Sequence, residues 1–124
     1  MLIALAAFYL AAGVLHLTAP QDFVRIVPGF VPWPETVVWL TGWCEIFGAV
    51  GLLLPRLRRW AGAALALYAV CVFPANINHA FYSIDIAALP TSWWYHAPRL
   101  MLQPILVWWA LFCSGLIYWP APRR

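Results

Sequence analysis

Apolar residues fill four long runs, at about 1–18, 35–54, 60–81 and 98–118, separated by short stretches rich in proline or charge. At 1.5 Å per residue such runs reach ~27–33 Å as helices, enough to cross the hydrocarbon core of a bilayer. The breaks have distinct chemistry. In 19–34, Pro20 suits the first position of a helical turn or two ending near Ile26. Phe23, Ile26 and Phe30 would then dip into the membrane interface, with Asp22 and Arg25 in water. Pro28, Pro32 and Pro34 stiffen the return, giving an ordered amphipathic loop and a candidate lid. The second helix opens at Pro34–Glu35, where a carboxylate favours the positive end of the helix dipole, and stops before Pro55. Pro74 and Pro104 fall inside the third and fourth runs and free the carbonyls of Val70 and Leu100. The second loop, 83–97, carries Asp85 and then Trp93, Trp94, Tyr95 and His96, the composition of an interfacial aromatic belt. Trp108, Trp109, Tyr118 and Trp119 mark the opposite interface.

Composition strengthens this reading. The 124 residues are 65% hydrophobic and 9% charged, against ~25% charged in a soluble domain. Mean hydropathy is +0.82. The expected fold is an all-α membrane protein: one domain over 1–124, a four-transmembrane-helix bundle with both termini cytoplasmic. The orientation comes from Arg56, Arg58 and Arg59, a basic turn that the positive-inside rule places in the cytoplasm. Arg123 and Arg124 agree with it, and loops 19–34 and 83–97 then face outward. The bacterial plasma (inner) membrane is the expected location. The first run lacks an early basic residue, and Pro20 follows its one small-residue site, so it reads as a retained span rather than a cleaved signal. The net charge of +3 is carried by arginine alone and is too scattered for a nucleic-acid footprint. Cys44, Cys71 and Cys113 fall in three different runs with no metal-ligand spacing, and read as small buried fillers.

The candidate chemistry centres on Glu45, the one carboxylate in the middle of a run. An acid at that depth costs at least ~2.5–3.5 kcal/mol to insert, so it is expected to face protein or a water-filled cavity. Its neighbours three and four residues away, Thr41, Gly42, Gly48 and Ala49, are small and admit another helix. His16 shares a face with Ala12 and Gly13, Asn76 with His79, and Arg99 with Gln103. Counting helical rise puts Glu45 ~15 Å below the outer end of its helix and the other five nearer that end. The expected site is therefore an outward-facing polar pocket of His16, Asn76, His79, Arg99 and Gln103, floored by Glu45. A depth gap of ~13 Å leaves two ways for Arg99 to serve Glu45: directly, or through Gln103, Asn76 or water. Read singly, Asn76, Asn78 and Gln103 are interhelical hydrogen-bonding groups worth ~0.6 kcal/mol each. A metal site of His16, His79 and Glu45 has no supporting spacing.

Several short motifs resemble the DoxX-like family of small four-helix membrane proteins. They are Gly42-x-x-Glu45-x-x-Gly48, Gly51-Leu-Leu-Leu-Pro55, Arg58-Arg59-x-Ala61, Phe73-Pro74-Ala75-Asn76-Ile77, the loop from Ile26-Val27-Pro28 to Pro34, and Arg99-x-x-x-Gln103 with Trp108. The resemblance spans nearly the whole chain and matches the family's polar pattern at His16, Glu45, Asn76, Arg99 and Gln103. It implies an accessory or assembly subunit, or a quinone-reactive subunit of a thiosulfate:quinone oxidoreductase. The chain carries no cofactor motif of its own, so the expected ligand is a bound quinone, lipid or similar amphiphile. Expected partners are membrane lipids and another membrane protein or a second copy, docked through Gly/Ala-rich faces. A small oligomeric transporter or channel is the third expectation.

Overall fold

The computed structural model describes residues 1–82, 90 and 92–118. Asp85, Trp119, Arg123 and Arg124 lie outside the described residues, as does most of the second loop. Five helices follow in order: α1 (Leu2–Thr18), α2 (Pro20–Val24), α3 (Pro34–Leu53), α4 (Arg58–Phe81) and α5 (Trp93–Cys113). No strand occurs among the described residues.

Local chemistry sets the boundaries. Pro20 and Pro34 occupy first helical positions, where the missing N–H costs nothing. At the other end of α3, the Arg58 Nε–H donates to the Leu52 carbonyl at 2.9 Å and satisfies one of the orphan end groups. Pro74 is carried inside α4 without ending it. The last helix departs from the expected 98–118 at both ends. It begins five residues earlier because the Ser92 hydroxyl accepts the Trp94 N–H at 3.3 Å, an N-cap that leaves Pro98 inside the helix. It ends at Cys113 because Gly115 turns left-handed, with φ +74. Leu116 N–H then reaches the Leu111 carbonyl at 3.0 Å, and Gly115 N–H reaches Phe112 at 3.1 Å, a Schellman closure.

The four long helices run antiparallel in sequence order. Gly13 of α1 lies against Gly42 and Ile46 of α3. Gly48 and Gly51 of α3 lie against Leu65 and Ala61 of α4, and Gly62 of α4 lies against Ser114 beyond α5. A Cβ on Gly13 would come within 2.7 Å of the Gly42 carbonyl oxygen, so α1 and α3 meet backbone to backbone. Gly13, Gly42, Gly48, Gly51 and Gly62 are thus packed within the chain.

The close-packed core holds Leu5, Tyr9, Leu52, Leu65, Leu106 and Ala110, all in the half of the bundle nearest the α3–α4 turn. The opposite half is looser and polar-lined. Outward surfaces are strongly apolar: Ile3, Phe47, Trp60, Leu67 and Met101 are each more than 60% exposed. Two helices, α3 and α4, are long and apolar enough to cross a membrane, and α1 is a shorter apolar helix. The cysteines depart from expectation: Cys44 and Cys71 are exposed and Cys113 half-buried. In a bundle whose outside is as apolar as its inside, a thiol gains little by turning inward, so hydrophobicity alone does not orient it.

Candidate functional site

Where the tight core ends, the four long helices part around a cavity of about 750 Å³. Tyr9, Glu45, Tyr68 and Leu106 form its boundary with the core, and the α2 loop closes one side. Ile26 of that loop is buried, and Asn78 Nδ2 donates to its carbonyl at 3.0 Å, tying the loop to α4. Phe23 stacks on the His16 ring at 3.8 Å and 22°. Phe30, by contrast, is 81% exposed.

Two separate polar groups meet this cavity, the second of them backed by His79 and His96, which lie behind its lining. The deeper one is built on Glu45, only 4% exposed. Tyr68 donates its hydroxyl to Glu45 Oε1 at 2.8 Å. His16 Nδ1 lies 2.9 Å from Glu45 Oε2 and also 2.9 Å from the Ala12 carbonyl. The N–H is better aligned with the Ala12 oxygen, so Oε2 takes an electrostatic contact rather than a full hydrogen bond. Gly42 and Gly48 make this geometry possible by letting α1 and α4 approach α3 on either side of the carboxylate.

The second group is built on Arg99. Its guanidinium donates to Asn76 Oδ1 and to His79 Nδ1. Arginine has only donors, so His79 Nδ1 must be the acceptor and the proton of a neutral ring sits on Nε2. The Arg99 guanidinium carbon also lies 5.9 Å from the centre of the Tyr95 ring. Behind it, His79 and His96 meet edge to face at 4.8 Å. One turn along α5, Gln103 is buried with Oε1 lacking a hydrogen-bond partner.

The expected site residues therefore fall into two sets. His16 meets Glu45; Asn76 and His79 meet Arg99; Gln103 lines the cavity beside them. Arg99 does not serve Glu45 directly, nor through Asn76: its hydrogen bonds end on Asn76 and His79, as its starting height on α5 suggested. Tyr68 and Tyr9 were not anticipated. A signal existed, because Tyr68, Val72, Asn76 and His79 repeat at helical spacing on one face of α4. His96 is corrected most sharply. It is 2% exposed, with both ring nitrogens lacking partners, and not part of an outer aromatic belt. The early start of α5 turns it inward, while Trp94 stands 91% exposed. Among the described residues, no cluster of three or more His, Cys, Asp or Glu has metal-holding geometry.

Comparison with known proteins gives one family and no closer relative. No curated protein and no solved structure matches the chain. The family that matches is described as Domain of unknown function (DUF8561), over residues 5–114. This overturns the DoxX-like resemblance, and the oxidoreductase role that rested on it loses that support. Much of the motifs behind that resemblance is glycine, proline and arginine turns, which packed membrane helices use for general physical reasons. With 5–114 matched, this chain belongs to the DUF8561 family.

Proposed function

We propose that this chain is an integral membrane protein of four spanning helices that binds one small amphiphile in its interhelical cavity. The cavity carries the reading. Its volume, about 750 Å³, falls within the ~300–1,000 Å³ of small-molecule sites. Its walls are mainly apolar side chains such as Phe8, Val38, Val72 and Leu102, with Glu45 and Arg99 in separate polar groups. A molecule with an apolar body and one polar head, lipid or quinone, suits such walls. The role is one of binding, and the chain acts as an accessory component rather than an enzyme on its own.

Four spans are supported by length and surface. At 17 and 21 residues, α1 and α5 reach ~25 and ~31 Å, close to the hydrocarbon thickness. The exposed Ile3, Phe47, Leu67 and Met101 would face lipid on all four helices. Arg56 and Arg59 stand exposed at the α3–α4 turn, which favours a cytoplasmic turn and both termini on that side of a plasma membrane. The cavity then opens toward the outer half of the bilayer.

The test is alkaline extraction of membranes, then mass spectrometry of whatever the purified protein retains. The chain should stay in the extracted membrane and carry a stoichiometric amphiphile. Ala75→Phe, which projects a ring from the cavity wall, should lose it. Release of the chain by alkali would refute the spanning assignment. Identical retained molecules in both proteins would refute the cavity as the site.

A further inference from the structure

We propose that the head of the bound amphiphile is an anion, a carboxylate or phosphate monoester, and that Arg99 is the residue that binds it. This rests on the amphiphile-binding reading above. The first observation is the charge balance of the cavity. Arg99 lines it, yet its hydrogen bonds go to Asn76 and to the neutral side of His79. Neither acceptor carries a negative charge. Glu45, the carboxylate that lines the same cavity, is already met by the Tyr68 hydroxyl and the His16 ring. No carboxylate of the described residues lies within ion-pair reach of Arg99.

A guanidinium has five N–H donors, and the two side-chain acceptors engage two of them. The rest remain to offer a rigid planar fork, the geometry that matches carboxylate and phosphate oxygens. Asn76 and His79 position that fork, so little side-chain freedom is lost when a ligand arrives. A cation among mainly apolar walls is costly without a counter-charge. A ligand anion would supply one.

The second observation is independent. Gln103 sits one turn beyond Arg99, faces the same cavity, and is 8% exposed with Oε1 lacking a partner. Its amide carries an NH₂ donor as well as that oxygen, and on the cavity wall one turn from Arg99 it is an uncharged group placed to donate to a ligand oxygen. A built cation and a buried amide on one helix face thus converge on an oxygen-rich head. The volume of about 750 Å³ suits a single chain behind that head better than the two chains of a diacyl lipid.

The experiment uses the full chain in phosphatidylcholine nanodiscs, with three tritiated probes: palmitate, methyl palmitate and lysophosphatidate. At least one acidic probe should bind about tenfold to a hundredfold tighter than the neutral ester, the range expected of hydrogen bonds to a charged group. Whichever acid binds more tightly identifies a carboxylate or a phosphate head. Arg99→Gln should bring the acids down to the level of the ester and leave the ester unchanged, which also reports an intact fold. Equal binding of acids and ester by the unaltered protein overturns the anion assignment and leaves the amphiphile reading standing. So does an Arg99→Gln protein that loses ester and acid alike while still folded. Binding of none of the three overturns the anion assignment, and the retained-molecule test above decides the amphiphile reading. Should Arg99→Gln fail to fold, the acid-to-ester ratio of the unaltered protein decides.

Discussion

Removing the Tyr68 hydroxyl tests whether Glu45 is a charged group held by its own donors. Tyr68→Phe keeps the ring that packs edge to face against Tyr9 at 6.4 Å and deletes only the donor to Glu45 Oε1 at 2.8 Å. Two magnitudes compete. Hydrogen bonds between membrane helices are worth ~0.6 kcal/mol on average and ~1.7 at most. A hydrogen bond to an ionised acceptor is worth ~1.5–3 kcal/mol. Glu45 is 4% exposed, so water cannot easily replace the lost donor. The expected coupling between the two side chains is therefore at least ~1.5 kcal/mol, the lower end of the charged-acceptor range. The assay is equilibrium unfolding in mixed micelles on a double-mutant cycle of Tyr68→Phe and Glu45→Leu. Tyr68→Phe alone should destabilise clearly. The double variant should recover much of that loss, because replacing a buried polar pair by apolar groups is often near neutral. A coupling of ~0.6 kcal/mol or less would refute the reasoning and mark this as an ordinary interhelical contact.

Two further outcomes follow from local geometry. Gly62→Ala should cost at least ~1–3 kcal/mol, since its new Cβ would meet the Ser114 Cβ at 2.1 Å and the Ala110 carbonyl at 2.9 Å, whereas Gly29→Ala meets nothing within 4 Å and should be neutral or slightly stabilising; thermal unfolding of both proteins in detergent compares them. Ser92→Ala should cost ~1 kcal/mol and speed amide exchange in the first turn of α5, and unchanged exchange at Trp94 would show that the cap does not set that boundary.

The sequence carried the helix count and much of the site, for reasons that can be traced. Apolar runs bounded by Pro20, Pro34 and Pro55 locate three helices to within two residues, because proline marks a start or stop by removing a donor. The same rule misplaced the fourth helix. Pro98 lies inside α5, and the true start depends on one serine hydroxyl whose value shows only once Trp94 is positioned over it. The pocket residues were legible because a charge or amide in an apolar run needs a reason. Their grouping was not, since rise per residue gives depth but not which helices adjoin. Tyr68 escaped because tyrosine is common at membrane interfaces and its polar end draws notice only when buried. His96 escaped because its aromatic neighbours disguised it as part of a belt.

The division of the polar residues has a chemical consequence of its own. A direct Arg99–Glu45 pair would have left a neutral cavity with its strongest donors and acceptors consumed. Instead, the carboxylate is met by Tyr68 and His16, and the guanidinium is braced by Asn76 and His79. Each brace comes from a neighbouring helix, so each charge is fixed in place without the other. Glu45 contributes to holding α1, α3 and α4 together where the tight core gives way to the cavity. Arg99 keeps donors that no described carboxylate engages. Structural and binding duties that looked like one constellation in the chain therefore rest on different residues. Substitutions at Glu45 should act first on stability, and those at Arg99 first on what the cavity accepts.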